Sequence, residues 1–109
     1  MNNRCWARAI VGDLDNALKD CNQALQLRPR YGDAFDSRGF VNLRIGRNTN
    51  AIDDYDAALS IEPRRASSLY GRGIAKTRRG DADAGRNDIA TAKAIQANIA
   101  DEFAGYGIR

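Results

Sequence analysis

At 109 residues the chain has room for one ordinary domain or a short array, not for two separate cores. Its 17 Lys+Arg against 14 Asp+Glu leave a formal charge of +3, too slight an excess to demand a nucleic acid or an anionic membrane as partner. Hydrophobic residues at 43% and charged residues at 28% argue against disorder, and no apolar run is long enough for a transmembrane helix.

In chain order, Gly12-Asp13 is a turn between a helix carrying Cys5, Trp6 and Ala9 and a second helix that ends before Pro29. Residues 34–45 read as a third helix, stopped by Gly46-Arg47-Asn48, where the Asn is able to cap the next start. Residues 50–61 follow, with Ile52, Tyr55, Ala58 and Leu59 at helical spacing, and Pro63 ends them. Gly80-Asp81 is the inner turn of a third pair. Asp13, Asp15, Asp81 and Asp83 fall in first turns and Arg44, Arg78 and Arg79 in last turns, as the helix dipole favours. A last helix begins over 98–103, with Asp101 and Glu102 near its start, and fails at Gly105 and Gly107. Nothing reads as a strand.

Set against itself at an offset of 34, the chain repeats. Gly12, Gly46 and Gly80 fall in register, as do Arg4, Arg38 and Arg72, and Ala24, Ala58 and Ala92. Ala17, Ala51 and Gly85 match, as do Cys21, Tyr55 and Ile89, and then Pro29, Pro63 and Ala97. Gly39 and Gly73 pair with Cys5 as the small counterpart, where two antiparallel helices must approach closely. One period with so many coincidences marks a tandem solenoid.

The pattern resembles the tetratricopeptide repeat, a 34-residue helix–turn–helix unit. Phe35, Gly39, Ala51, Tyr55, Ala58 and Pro63 stand at its places in the second copy; Leu69, Gly73, Gly85, Ile89 and Ala92 stand there in the third. The first copy begins late, with Met1 at the aromatic place. The resemblance implies an all-α, right-handed solenoid of helical hairpins, one domain over 1–109. Its repeats cover about 1–31, 32–65 and 66–99, six helices in all, with a short capping helix over 98–109. Phe103, one period beyond Leu69, would cover the apolar end of the last repeat. Arg replaces the family's Leu in every copy, and Arg8, Asn42 and Lys76 replace its Tyr. These polar changes bear on the groove, not on the fold.

Catalysis is not expected. With no His, the serines have no base to activate them, no metal or other cofactor site is evident, and Gly71-Arg72-Gly73 falls inside a helix. Asp53, Asp54 and Asp56 read as a solvated acidic face. Cys5 and Cys21 are too few for a disulfide framework and read as buried small hydrophobes. They could bridge only if their two helices pack as a hairpin.

The resemblance places a concave groove on the first helices, so the expected function is binding a protein or peptide segment there. Trp6, Phe40 and Ile74 form one row, with Asn2, Asp36 and Tyr70 one turn earlier and Arg44 and Arg78 one turn later. Asp33 and Asp36 would make an acidic lip, Arg44 and Arg78 a basic one. The alternative is that Trp6, Phe40 and Ile74 pack as core. The places of the family's carboxylate clamp read Asn2, Trp6, Ser37, Ser67 and Gly71, which make no clamp. RNA is not the expected partner, because the middle repeat has five basic and six acidic residues. No charged-then-apolar leader opens the sequence, which favours a cytoplasmic setting. The short first helix would leave Trp6, Ala9 and Ile10 partly bare, so a homodimer through the first repeat is also expected.

Overall fold

Three glycines with φ of 92°, 95° and 105°, Gly12, Gly46 and Gly80, divide the chain into helical hairpins. In the computed structural model, which describes residues 2–108, each turn closes the same way. The amide after the glycine reaches back five residues: Asp13 to the Arg8 carbonyl, Arg47 to Asn42, Asp81 to Lys76, at 2.8–2.9 Å. This six-to-one bond is the left-handed glycine stop of a helix C-terminus.

The hairpins are α1 (Asn2–Val11) with α2 (Leu14–Leu27), α3 (Gly32–Ile45) with α4 (Asn48–Ile61), and α5 (Ala66–Arg78) with α6 (Ala82–Ile95). A seventh helix, α7 (Ile99–Gly105), closes the chain, and no strand occurs among the described residues. The fold is thus an all-α array of helical hairpins. Two starts lie earlier than the sequence suggests. α3 begins at Gly32 and α4 at Asn48, so Arg47 is the N-cap residue and Asn48 belongs to the first turn. Met1, the proposed counterpart of Phe35, lies outside the described residues.

α1 packs on α3 and α3 on α5, while α2 reaches only α1 and α3, and α4 only α3 and α5. The second helices do not touch one another. The array therefore curves with α1, α3 and α5 on the inside.

Within each hairpin, residues sixteen apart meet. Tyr55, 1% exposed, lies against Gly39 and Gly71. A Cβ on Gly39 would stand 2.9 Å from its ring, and one on Gly71 would overlap it. In the third hairpin Gly73 accommodates Ile89, which a Cβ there would meet at 2.7 Å. In the first hairpin the same two places hold Cys5 and Cys21, whose sulfurs are bonded across a Cα separation of 5.4 Å. This corrects the reading of two separate thiols: the hairpin packing that a bridge requires is present.

One residue earlier runs an ionic contact of the same span. Asp20, Asp54 and Asp88 are only 4%, 6% and 8% exposed. Asp20 pairs with Arg4 at 3.1 Å and Arg8 at 2.8 Å. Asp54 accepts from Arg38 at 2.7 Å and Asn42 at 2.9 Å. Asp88 takes Arg72 at 2.8 Å and Lys76 at 3.0 Å. Arg38 also reaches back to Asn22 at 3.0 Å, and Arg72 to Asp56 at 2.8 Å, which joins successive repeats. The polar departures at Arg8, Asn42 and Lys76 therefore face the second helices and not the groove. Asp54 and Asp56 are likewise paired and not simply solvated.

Two outcomes follow from these contacts. Reducing Cys5–Cys21 reopens a loop of sequence separation 16. Urea unfolding with and without reductant should then differ by about 3 kcal/mol on loop-closure grounds. Arg38→Ala, which strips a buried carboxylate of its main partner, should lose about 2 kcal/mol, discounted because the Arg side chain is 27% exposed. Arg38→Ala/Asp54→Ala should lose less than the single change.

Candidate functional site

The concave face is not bare. The chain turns at Gln96, α7 packs against α5 and α6, and its end carries aromatic side chains over the inner surface of the array. Phe103 stacks on Tyr70 with ring centroids 4.7 Å apart and planes 15° from parallel, and meets Phe40 edge-on at 6.0 Å. Tyr106 stands edge-on to Trp6 at 5.3 Å and to Phe40 at 5.6 Å. Trp6 and Phe40 themselves lie 4.9 Å apart. Such pairs contribute about 0.5–1.5 kcal/mol each beyond their buried area. Phe103 therefore reaches further than the end of the last repeat: it fills the middle of the groove.

Of the expected groove residues, Phe40 and Tyr70 are buried beneath α7, Trp6 is half-covered, and Ile74 packs on the same core. Ala9 is buried too, so the first helix is less bare than its shortness suggests. Arg44 and Arg78 are tied to the main chain. Arg44 donates to the carbonyls of Ala9 (3.2 Å), Ile10 (3.0 Å) and Tyr106 (3.1 Å), and Arg78 to that of Leu43 (3.1 Å). Each thus caps the C-terminal end of the preceding inner helix, where a cation is favoured by the dipole.

Asn2, Trp6, Asp33 and Asp36 come together on the wall of a cavity of about 230 Å³. Ser37 and Ser67, two of the clamp places, line it as well; the sequence had not brought in its remaining walls, Asn3 and Arg65 from the array, Glu102 from α7 and Tyr106 just after it. Asp36 accepts from the Ser68 hydroxyl at 2.6 Å and that of Ser67 at 3.1 Å. Its carboxyl is nonetheless pushed above the usual range by burial, which outweighs those hydrogen bonds and the Arg65 charge. Arg65 is held by Asp33 at 2.6 Å and Glu62 at 2.5 Å. Burial, Glu102 and Asp36 together push the Tyr106 hydroxyl up. Asp88, on the outer side, shows the opposite balance: burial would raise it, but hydrogen bonds and charge from Arg72 and Lys76 bring it down.

No protein-family model matches the chain, and no curated protein matches it. No helix among the described residues is long and apolar enough to cross a membrane.

The raised Asp36 carboxyl carries a sign that can be measured. Its folded value lies above the unfolded one, so the folded state gains relative stability as pH falls toward the unfolded value. Asp36→Asn keeps an acceptor for the two serines and removes the buried charge. The variant should unfold at higher urea than the parent at pH 7, and the gain should fade below about pH 4, where Asp is protonated in both states.

Proposed function

We propose that the chain is a non-catalytic protein-interaction module of the tetratricopeptide kind, which holds a short segment of a partner protein on the inner face of α1, α3 and α5. The observation behind this reading is α7 itself: the aromatic surface of Trp6, Phe40 and Tyr70 already holds a seven-residue helix. A surface that seats one short helix in its own chain has the shape and the apolar area to seat another. The period of 34 and the glycine turns support the family reading. A single-segment partner that must order itself on binding would hold at about −7 to −9 kcal/mol, a micromolar affinity.

A second reading is self-association through the first hairpin. Its support is that the exposed large hydrophobics among the described residues, Ile10, Val11 and Leu27, all lie on α1 and α2. Val11 ends α1, next to the start of α2, and Leu27 ends α2 a full helix length away, about 20 Å at 1.5 Å per residue, so they do not form one patch. A constant monomer mass in light scattering across a dilution series overturns this second reading.

For the first reading, a photo-crosslinking amino acid is placed at Ser67, on the cavity wall, or at Gln23, exposed on the outer helix α2. Cross-linked partner is expected from Ser67 and not from Gln23. Cross-links from Gln23 with none from Ser67 would place the binding surface on the convex side.

A further inference from the structure

A seven-residue helix does not persist alone in water, so α7 is helical because of the surface beneath it. Phe103 and the C-cap residue Tyr106, three residues apart, lie on one side of it and take the two aromatic positions on the array. At its C-terminal end the Tyr106 carbonyl accepts from Arg44, which sets the direction in which the helix lies. In shape and polarity α7 matches its seat.

In charge it does not. Glu102, the residue before Phe103, lines the same cavity as Asp33 and Asp36. Three carboxylates there face one guanidinium, Arg65, already committed to Asp33 and to Glu62 outside the cavity. Glu102 is held at this mouth by exposed hydrogen bonds from Gln96 at 2.5 Å and the Tyr106 hydroxyl at 3.1 Å. Exposed bonds of this kind contribute little against like charge in a partly enclosed space.

We propose that α7 is a displaceable resident of the concave face, and that the partner it yields to is a short helix with aromatics at i and i+3 and a Lys or Arg immediately before the first. The proposal rests on the concave-face reading above and specifies its ligand. The partner's aromatics take the seats of Phe103 and Tyr106, and its basic side chain enters the cavity toward Asp33 and Asp36. The resident keeps the aromatic surface covered until a segment of matching shape and better charge arrives. Affinity then comes from the aromatics, and preference over α7 from one charge.

The test uses the full chain carrying Phe103→Ser/Tyr106→Ser, which empties both seats, and fluorescein-labelled peptides of residues 98–108 read by anisotropy. One peptide has the native sequence and the other carries Glu102→Lys. Both should bind, the Lys peptide about fivefold more tightly, as expected for trading a repulsion for a partly exposed ion pair. Asp33→Asn/Asp36→Asn added to the double variant should erase that difference, and the unaltered chain should bind either peptide about tenfold less well, because α7 competes. Equal affinity of the two peptides overturns the charge assignment, and equal binding by the unaltered chain overturns the displaceable resident. No binding by a folded double variant overturns the whole inference, while partner cross-links from Ser67 would still stand for the concave-face reading. If circular dichroism shows the double variant unfolded, Glu102→Lys alone in the full chain decides. Amide exchange over residues 99–106 should slow about fivefold, and an unchanged or faster rate overturns the proposal.

Discussion

Every hairpin in this array is held at one register, a residue on the inner helix against the residue sixteen positions later on the outer one. At positions 5 and 21 the contact is a cystine, at 39 and 55 a glycine beneath a tyrosine, at 73 and 89 a glycine beneath an isoleucine. Directly before each lies an Arg–Asp pair of the same span. The apolar contact sets how closely the helices approach, since a larger residue at Gly39 or Gly73 would force them apart. The ionic contact sets which turn faces which. A buried ion pair returns little net stability against well-packed apolar residues, but a hairpin slipped by one turn would strand Asp20, Asp54 or Asp88 without a partner. The pairs act mainly against wrong packings.

Much of this was legible in the letters, and the boundary of legibility has a physical cause. A period of 34 with Gly12, Gly46 and Gly80 in register predicts hairpins because the glycine stop is local: left-handed φ and a backward hydrogen bond involve only a few neighbouring residues. The Arg–Asp ladder was also present in the self-alignment, where Asp20, Asp54 and Asp88 stand 34 apart behind Arg4, Arg38 and Arg72. Seen separately, those arginines looked like changes to the groove; seen with the aspartates, they belong to the hairpin. The seat of α7 was not legible. Its contacts with Trp6 and Phe40 span most of the chain, and its own letters specify only a short, weak helix. The row of Asn2 and Asp36 follows from the repeat, but the placement of Glu102 and Tyr106 beside it follows from that seat, so the cavity could not be assembled from spacing alone.

The inner surface explains why the chain needs α7 at all. Side-by-side packing of α1, α3 and α5 brings Trp6, Phe40 and Tyr70 onto one curved face. Left open, these rings would make a contiguous apolar patch of the kind that soluble chains reserve for interfaces. α7 covers it with Phe103 and Tyr106, while Ile99 and Ile108, both buried, anchor the segment on either side of the rings. The cover and the core beneath it are thus one aromatic cluster, and Phe40 belongs to both.

That shared cluster ties the seat of α7 to the joint between the first two repeats. The Arg44 guanidinium reaches two carbonyls in the last turn of α1 and that of Tyr106, the C-cap of α7, through the same nitrogen. Charge-assisted bonds of this type contribute about 1.5–3 kcal/mol when well made, and three acceptors share the two N–H bonds of one terminal nitrogen. The arginine thus bridges the end of α1 and the end of the chain's last helix. Arg78, with Leu43 as its sole acceptor among the described residues, has no such double role. The asymmetry between two arginines at the same repeat position follows from where the chain's last helix comes to rest.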